Sequence, residues 1–141
     1  MDNAERVRLS FDQQQFMKHI GAELKSIDMG FCEIHLPFNA NLTQQNGYFH
    51  AGTIGTIADT AGGYAAYSTM QPGESVLTVE YKLNLLAPAK GDLLIVRSNV
   101  VKAGRTLTVC TSNVFVRSNE IENLCATAMV TLIALKNYKT K

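Results

Sequence analysis

The chain has 141 residues, 46% hydrophobic and 18% charged, with a formal net charge of +1. That length suits one domain with its own core, expected to span residues 1–141, and the composition is that of an ordinary folded protein. So even a balance excludes the basic stripe of a nucleic-acid binder, and the longest apolar stretch, residues 126–135, is too short to cross a bilayer.

Taken in order, the chain opens without an apolar segment of the secretory kind, so a cytoplasmic protein is expected. Residues 11–20 read as a short amphipathic helix with Phe16, Met17 and Ile20 on one side, Asp12 in its first turn and Gly21 at its end. Residues 22–27 and 31–37 read as strands joined at Asp28-Met29-Gly30. The second strand alternates Phe31, Glu33 and His35 against Cys32, Ile34 and Leu36, so His35 is expected at the surface. His19 is read in the same way. After a long apolar stretch, Gln71-Pro72-Gly73 breaks the chain, and strands follow over residues 76–86, 91–102, 106–117 and 124–135. Pro88 ends the first of these, and Ala103-Gly104-Arg105 and Ser118-Asn119 mark hairpin turns. Residues 136–141 read as a short frayed end. Antiparallel strands placed after one long helix argue an α+β domain. The three cysteines, Cys32, Cys110 and Cys125, are widely spaced in alternating apolar stretches, which suits buried reduced thiols rather than disulfides or a zinc site.

The informative stretch is residues 51–70, built from Ala, Gly, Thr, Ser and a few large apolar residues, with Asp59 as its only charge. At helical period, Ile54, Ile57, Ala61 and Tyr64 form a core stripe. Around Asp59 fall Gly52, Gly55, Gly62, Gly63 and Ala66, a face with almost no bulk. Each interior glycine costs a helix about 1 kcal/mol relative to alanine, so close approach of a ligand or another backbone is expected there. Asn46-Gly47 is a turn signal, and the helix then starts near His50-Ala51-Gly52. Its free N–H groups suit an anion or a developing oxyanion. Asp59, two turns further in, is either a base or nucleophile for a group held at that end, or a buried structural acid with polar partners.

The pattern Gln44-x5-His50-Ala51-Gly52-x6-Asp59 resembles the signature of the PaaI-like hotdog-fold acyl-CoA thioesterases, in which a His-Gly-Gly turn opens a long helix bearing an acid. Thr78-Val79-Glu80-Tyr81-Lys82, Leu86-Ala87-Pro88-Ala89 and Lys102-Ala103-Gly104-Arg105 are similar to later segments of the same family. One position departs: Ala51 stands where the family usually has glycine. The resemblance implies a hotdog fold, a curved antiparallel sheet wrapped around one central helix. It implies a homodimer or dimer of dimers joined edge to edge, with active sites at the interface, where His50 and Asp59 serve one site from different chains.

The resemblance also implies roles. The N–H of Ala51, or of Gly52, would hold the oxyanion; Asp59 would be general base or nucleophile; Gln44 would orient the thioester carbonyl or water. Thr78 would sit close to the acid, and Arg105 near the phosphates of coenzyme A. Alone, Gln44 and Thr78 would read as solvated residues, Arg105 as a hairpin charge, and His50 as a turn residue with a positioning role. No cofactor is implied, Gly52-x-x-Gly55 is not a phosphate loop, and His50 and Asp59 lack a metal-ligand spacing. Hydrolysis of an acyl-CoA to free acid and coenzyme A leads. The alternatives are a non-catalytic acyl-CoA binding module, for which Ala51 argues, and a dehydratase or hydratase of the same fold. Tyr48, Phe49, Tyr64 and Met70 are candidates for an apolar acyl pocket.

Overall fold

Asp2 starts the first helix. Its carboxylate accepts from the Glu5 N–H at 2.8 Å while the Glu5 carboxylate accepts from the Asp2 N–H at 3.0 Å, a reciprocal cap that satisfies donors a helix start leaves free. In the computed structural model, which describes residues 1–136, this helix is α1 (Asn3–Gln13), followed by α2 (Gln15–Ile20). The single helix expected over residues 11–20 is therefore two, broken at Gln14, whose backbone is extended. Asp12 lies at the end of α1, not in a first turn. The earlier half escapes a periodicity reading because only Val7 and Phe11, one turn apart, are buried among polar neighbours. Gly21 ends α2 in the left-handed region at φ 83°.

Six strands follow in one antiparallel sheet: β1 (Glu23–Asp28), β2 (Phe31–Pro37), β3 (Glu74–Leu85), β4 (Leu93–Ala103), β5 (Leu107–Ser118) and β6 (Ile121–Lys136). Their order is β1-β2-β4-β5-β6-β3. Every expected strand is present, with ends shifted by a few residues. Lys136, expected in the frayed end, is the last residue of β6, and residues 137–141 lie outside the described residues. The turn between β5 and β6 carries Asn119 and Glu120, both at positive φ, the backbone that matches hairpin twist. His35 is half-buried rather than at the surface, because its Nε2 lies 2.9 Å from Glu33, which in turn accepts from Arg97 at 2.6 Å.

Between β2 and β3 runs α3 (Ala51–Tyr67), which packs against β2 through β6. Its stripe Ile54, Ile57, Ala61 and Tyr64 is buried, as the spacing predicts. The sheet reaches round to a second side as well. A Cβ on Gly62 would lie 3.0 Å from Val130 Cγ2 and 3.4 Å from Ser112 Oγ, and Ser112 donates to the Ala58 carbonyl at 2.7 Å. Gly62 and Ala66 thus belong to the helix–sheet contact and not to an open ligand face. α1 docks on the other end of α3. Arg6 Nη2 donates to the Met70 carbonyl at 2.6 Å and to Tyr67 at 3.3 Å, and Asn3 donates to Ser68 at 2.7 Å; a cation there suits the negative end of a helix dipole. The three thiols are buried and free, and burial raises all of them, Cys32 and Cys110 to about 12 and Cys125 to about 11. Among the described residues no helix is long and apolar enough to cross a membrane.

Candidate active site

The start of α3 is fixed by a tight loop. Gly47 takes φ 81° and donates to the Gln44 carbonyl, Gln44 donates to Tyr48, and His50 donates to Leu42. His50 is the N-cap: its Nδ1 accepts from the Gly52 N–H at 2.8 Å. That bond places the ring proton on Nε2. It also occupies the Gly52 N–H. The Ala51 N–H, one residue earlier, has no acceptor among the described residues. Ala51 is exposed and sits in ordinary helical backbone, away from the positive-φ positions. Its methyl group therefore meets no backbone conflict, and the departure from glycine keeps the donor.

Gln44 and Ala51 line a cavity of about 410 Å³ with Tyr48, Phe49 and residues 85–89. The Gln44 Oε1 accepts from the Asn46 N–H at 2.5 Å, and its amide N–H₂ has no acceptor among the described residues.

Two turns further along, Asp59 lines a different cavity of about 430 Å³, with Thr56, Thr60, Gly63 and residues 75–78 of β3. Thr78 Oγ1 donates to Asp59 Oδ1 at 2.6 Å. The ladder places Thr78 opposite Leu132 but Glu80 opposite Thr131, so Val79 is an extra residue. Such a bulge re-aims a side chain. Burial raises the Asp59 pKa above the ordinary aspartate value, and the Thr78 hydrogen bond opposes that rise. Oδ2 has no partner among the described residues. Asp59 is thus a carboxylate made more basic than usual, with one oxygen held and the other open to the cavity.

The structure separates the expected residues within one chain. Asp59 and Thr78 share one cavity, Gln44 and Ala51 another, and His50 and Gly52 a third of about 320 Å³. Eight residues of helix, about 12 Å of rise, divide Ala51 from Asp59. Arg105 lines none of the three. It lies in the turn between β4 and β5, and the register Leu107–Ile133–Leu77 sets that turn two strands from the start of β3, roughly 10 Å away. Tyr48 and Phe49 line the Ala51 cavity, Tyr64 lines the Asp59 cavity, and Met70 is core. Sequence reasoning missed Tyr81, whose hydroxyl would lie 3.0 Å from a Cβ on Gly55. It also missed Ser10, Gln14 and Tyr67 in the Asp59 cavity. Only the unexplained bareness of Gly55 signalled any of them.

A sheet wrapped round one helix, with a cavity at each end of an open edge strand, defines the hotdog fold. The chain belongs to the thioesterase superfamily, whose model matches residues 46–122, a span holding His50, Ala51, Asp59, Thr78 and Arg105 but not Gln44. A thioesterase family protein from Silicibacter pomeroyi has a solved structure that matches with TM-score 0.94 and 43% identity, over 95% of this chain and 98% of that one. The 1,4-dihydroxy-2-naphthoyl-CoA hydrolase of Listeria monocytogenes is 25% identical over 85% of this chain and 95% of its own length. The PaaI protein of E. coli, from the phenylacetic acid degradation operon, shares the fold at TM-score 0.82 and 19% identity, over 94% of this chain and 93% of that one. This chain is a thioester hydrolase of that superfamily, with the fold that PaaI also has.

Proposed function

We propose that the thioester this enzyme hydrolyses is an acyl-CoA, that Asp59 is the general base and that the Ala51 N–H of a second chain holds the oxyanion. The observation that carries the reading is the separation of these groups into two cavities that both open on β3. The Asp59 cavity is bounded by residues 75–78 and the Ala51 cavity by Leu85 and Leu86. β3 is an edge strand with Leu77, Val79, Tyr81 and Leu85 exposed, an apolar edge of the kind proteins cover. A twofold axis through the middle of β3 pairs it antiparallel with its copy. Leu85 of one chain then lies against the Glu74 end of the other, which brings the Gln44–Ala51 cavity of one chain onto the Asp59 cavity of the other.

In that site the thioester carbonyl oxygen faces the Ala51 N–H at the positive end of α3, with the Gln44 amide beside it. Asp59 takes a proton from water as the water oxygen bonds to the carbonyl carbon. The tetrahedral intermediate collapses with cleavage of the C–S bond, and the coenzyme A thiolate leaves and takes up the proton that Asp59 holds, which restores the base. The elevated pKa of Asp59 favours this role, since a base works best when its pKa approaches the working pH. His50 holds the turn, and Arg105, in the β4–β5 hairpin and without an ion-pair partner among the described residues, serves the coenzyme A phosphates. A cytoplasmic enzyme, dimeric or a dimer of dimers, fits this reading. The free, unstrained Ala51 N–H argues against a purely binding role. The test is thiol release from a panel of acyl-CoAs by the wild type and by Asp59→Asn. A drop of at least about 10² is expected, and near wild-type turnover by a folded variant overturns the assignment.

A further inference from the structure

The wall of the Asp59 cavity is not uniform. Its far end is closed by a fixed polar cluster: Gln14 Nε2 donates to Tyr64 Oη at 2.9 Å, and Ser10 Oγ lies 3.2 Å from the same oxygen. Arg6 and Asn3 pin α1 to the end of α3, so that end cannot recede cheaply. The sheet side is core, with Leu132 at 1% exposure.

The side toward the start of α3 differs. Because the chain is extended at Gln14, α2 sets off in a new direction and carries Phe16 over the helix. Phe16 is 53% exposed, yet it lines both the Asp59 cavity and the neighbouring cavity of His50, Gly52 and Leu42. Among the described residues Thr56 is the only other one common to both, and its hydroxyl is tied to the Gly52 carbonyl at 2.8 Å. Thr56 is the fixed half of a partition, and the half-exposed Phe16 ring, on a six-residue helix, is the half that can be removed or enlarged.

We propose that Phe16 is the residue that sets the size of acyl group this enzyme accepts. It does so by closing the Asp59 cavity off from the one beside His50. The proposal rests on the Asp59 cavity being the acyl site. With the ring gone, a longer acyl group runs past Asp59 into the second space of about 320 Å³. With a larger ring, the chain meets the wall sooner. Apolar pockets discriminate by about 10- to 200-fold per methylene, so the effect is readable.

The test uses S-butyl-, S-octyl- and S-dodecyl-coenzyme A, thioethers that bind without being cleaved, titrated calorimetrically into wild type, Phe16→Ala and Phe16→Trp. The dodecyl-to-butyl affinity ratio is expected to rise at least about tenfold in Phe16→Ala and to fall in Phe16→Trp. Thermal melts of all three establish that they are folded, which half-exposure of the ring favours. Equal ratios in the three proteins, or no thioether binding by any of them, overturn the proposal. Because no turnover is involved, an inert wild type that still shows the Phe16-dependent ratios overturns the Asp59 mechanism and leaves this inference standing.

Discussion

Thr78 Oγ1 and Asp59 Oδ1, 2.6 Å apart, tie the edge strand β3 to the middle of α3. The bond lowers the carboxyl pKa that burial raises. Asp59 must be ionised to act as base, so the acid limb of kcat/KM is expected above the ordinary aspartate range. Thr78→Val removes the opposing hydrogen bond and should move that limb to still higher pH, with turnover reduced most at low pH. A pH profile from about 4 to 8 checks both, and an unchanged limb in the valine variant disconnects Thr78 from the titration.

The same shift predicts a cost in stability. Asp59 holds its proton more tightly folded than unfolded, so between the ordinary aspartate pKa and the raised one the native state binds more protons. Stability contributed by this group is present at low pH, is lost as pH rises through that window, and stays lost above it. Asp59→Asn abolishes the penalty. Its melting temperature at pH 7 should exceed that of wild type while its turnover collapses, a trade expected where a carboxylate is kept for chemistry. A variant that loses both activity and stability would instead mark Asp59 as a structural acid.

Sharing of the site between chains has a complementation test. Light scattering at micromolar concentration should show a dimer or a multiple of it rather than 15.4 kDa. Asp59→Asn mixed with Ala51→Pro should recover about a quarter of wild-type activity, because half the dimers are mixed and each holds one intact site. Recovery absent from demonstrably mixed dimers places both residues in a site within one chain. Val79→Glu, in the middle of the exposed edge, should weaken association and activity together.

At Ala51 the comparison of three residues isolates the donor. Glycine keeps the N–H and should change the rate only modestly. Proline removes it at the first helical position, where proline is otherwise tolerated, and should cost roughly 3 kcal/mol of transition-state stabilisation, about 10² in kcat. Circular dichroism separates this from a disturbed turn. Wild-type activity in the proline variant would place the oxyanion elsewhere.

The positions of the strands along the chain and the core stripe of α3 were legible because period and turn residues are local properties. Ile54, Ile57, Ala61 and Tyr64 repeat at helical spacing, and Gly30 and Asn119 sit where the backbone turns. What escaped was set by distant packing. α1 is polar along most of its length and is held by carbonyls some 60 residues away, which no local pattern records. Gly62 and Gly63 look alike in sequence, but the curvature of the sheet gives one to β6 and the other to the cavity. The linear motif puts the start of α3 and Asp59 in one site, which the resemblance already divides between two chains, and in a single chain about 12 Å of helix separates Ala51 from Asp59.

Those two glycines give the last prediction, in which opposing terms decide the sign. Alanine in a helix interior gains about 1 kcal/mol over glycine. At Gly62 the new methyl would stand 3.0 Å from Val130 Cγ2 and 3.1 Å from its Cβ. Val130 is fully buried and branched at Cβ, so neither its rotamer nor its strand yields easily, and overpacking costs about 1–3 kcal/mol. Gly62→Ala should therefore be destabilising. At Gly63 the nearest atom is Leu132 Cδ2 at 3.4 Å, an ordinary contact with the end of a flexible side chain, so the helix gain survives and Gly63→Ala should be stabilising by up to about 1 kcal/mol. That methyl also points toward the Asp59 cavity, which Gly63 lines, so the stabilised variant should show a raised KM for bulky acyl-CoAs with short ones less affected. Urea denaturation of the two variants, read beside their acyl-chain profiles, checks both halves. Equal stabilities would mean that the sheet gives way at Val130 as readily as the cavity does at Leu132.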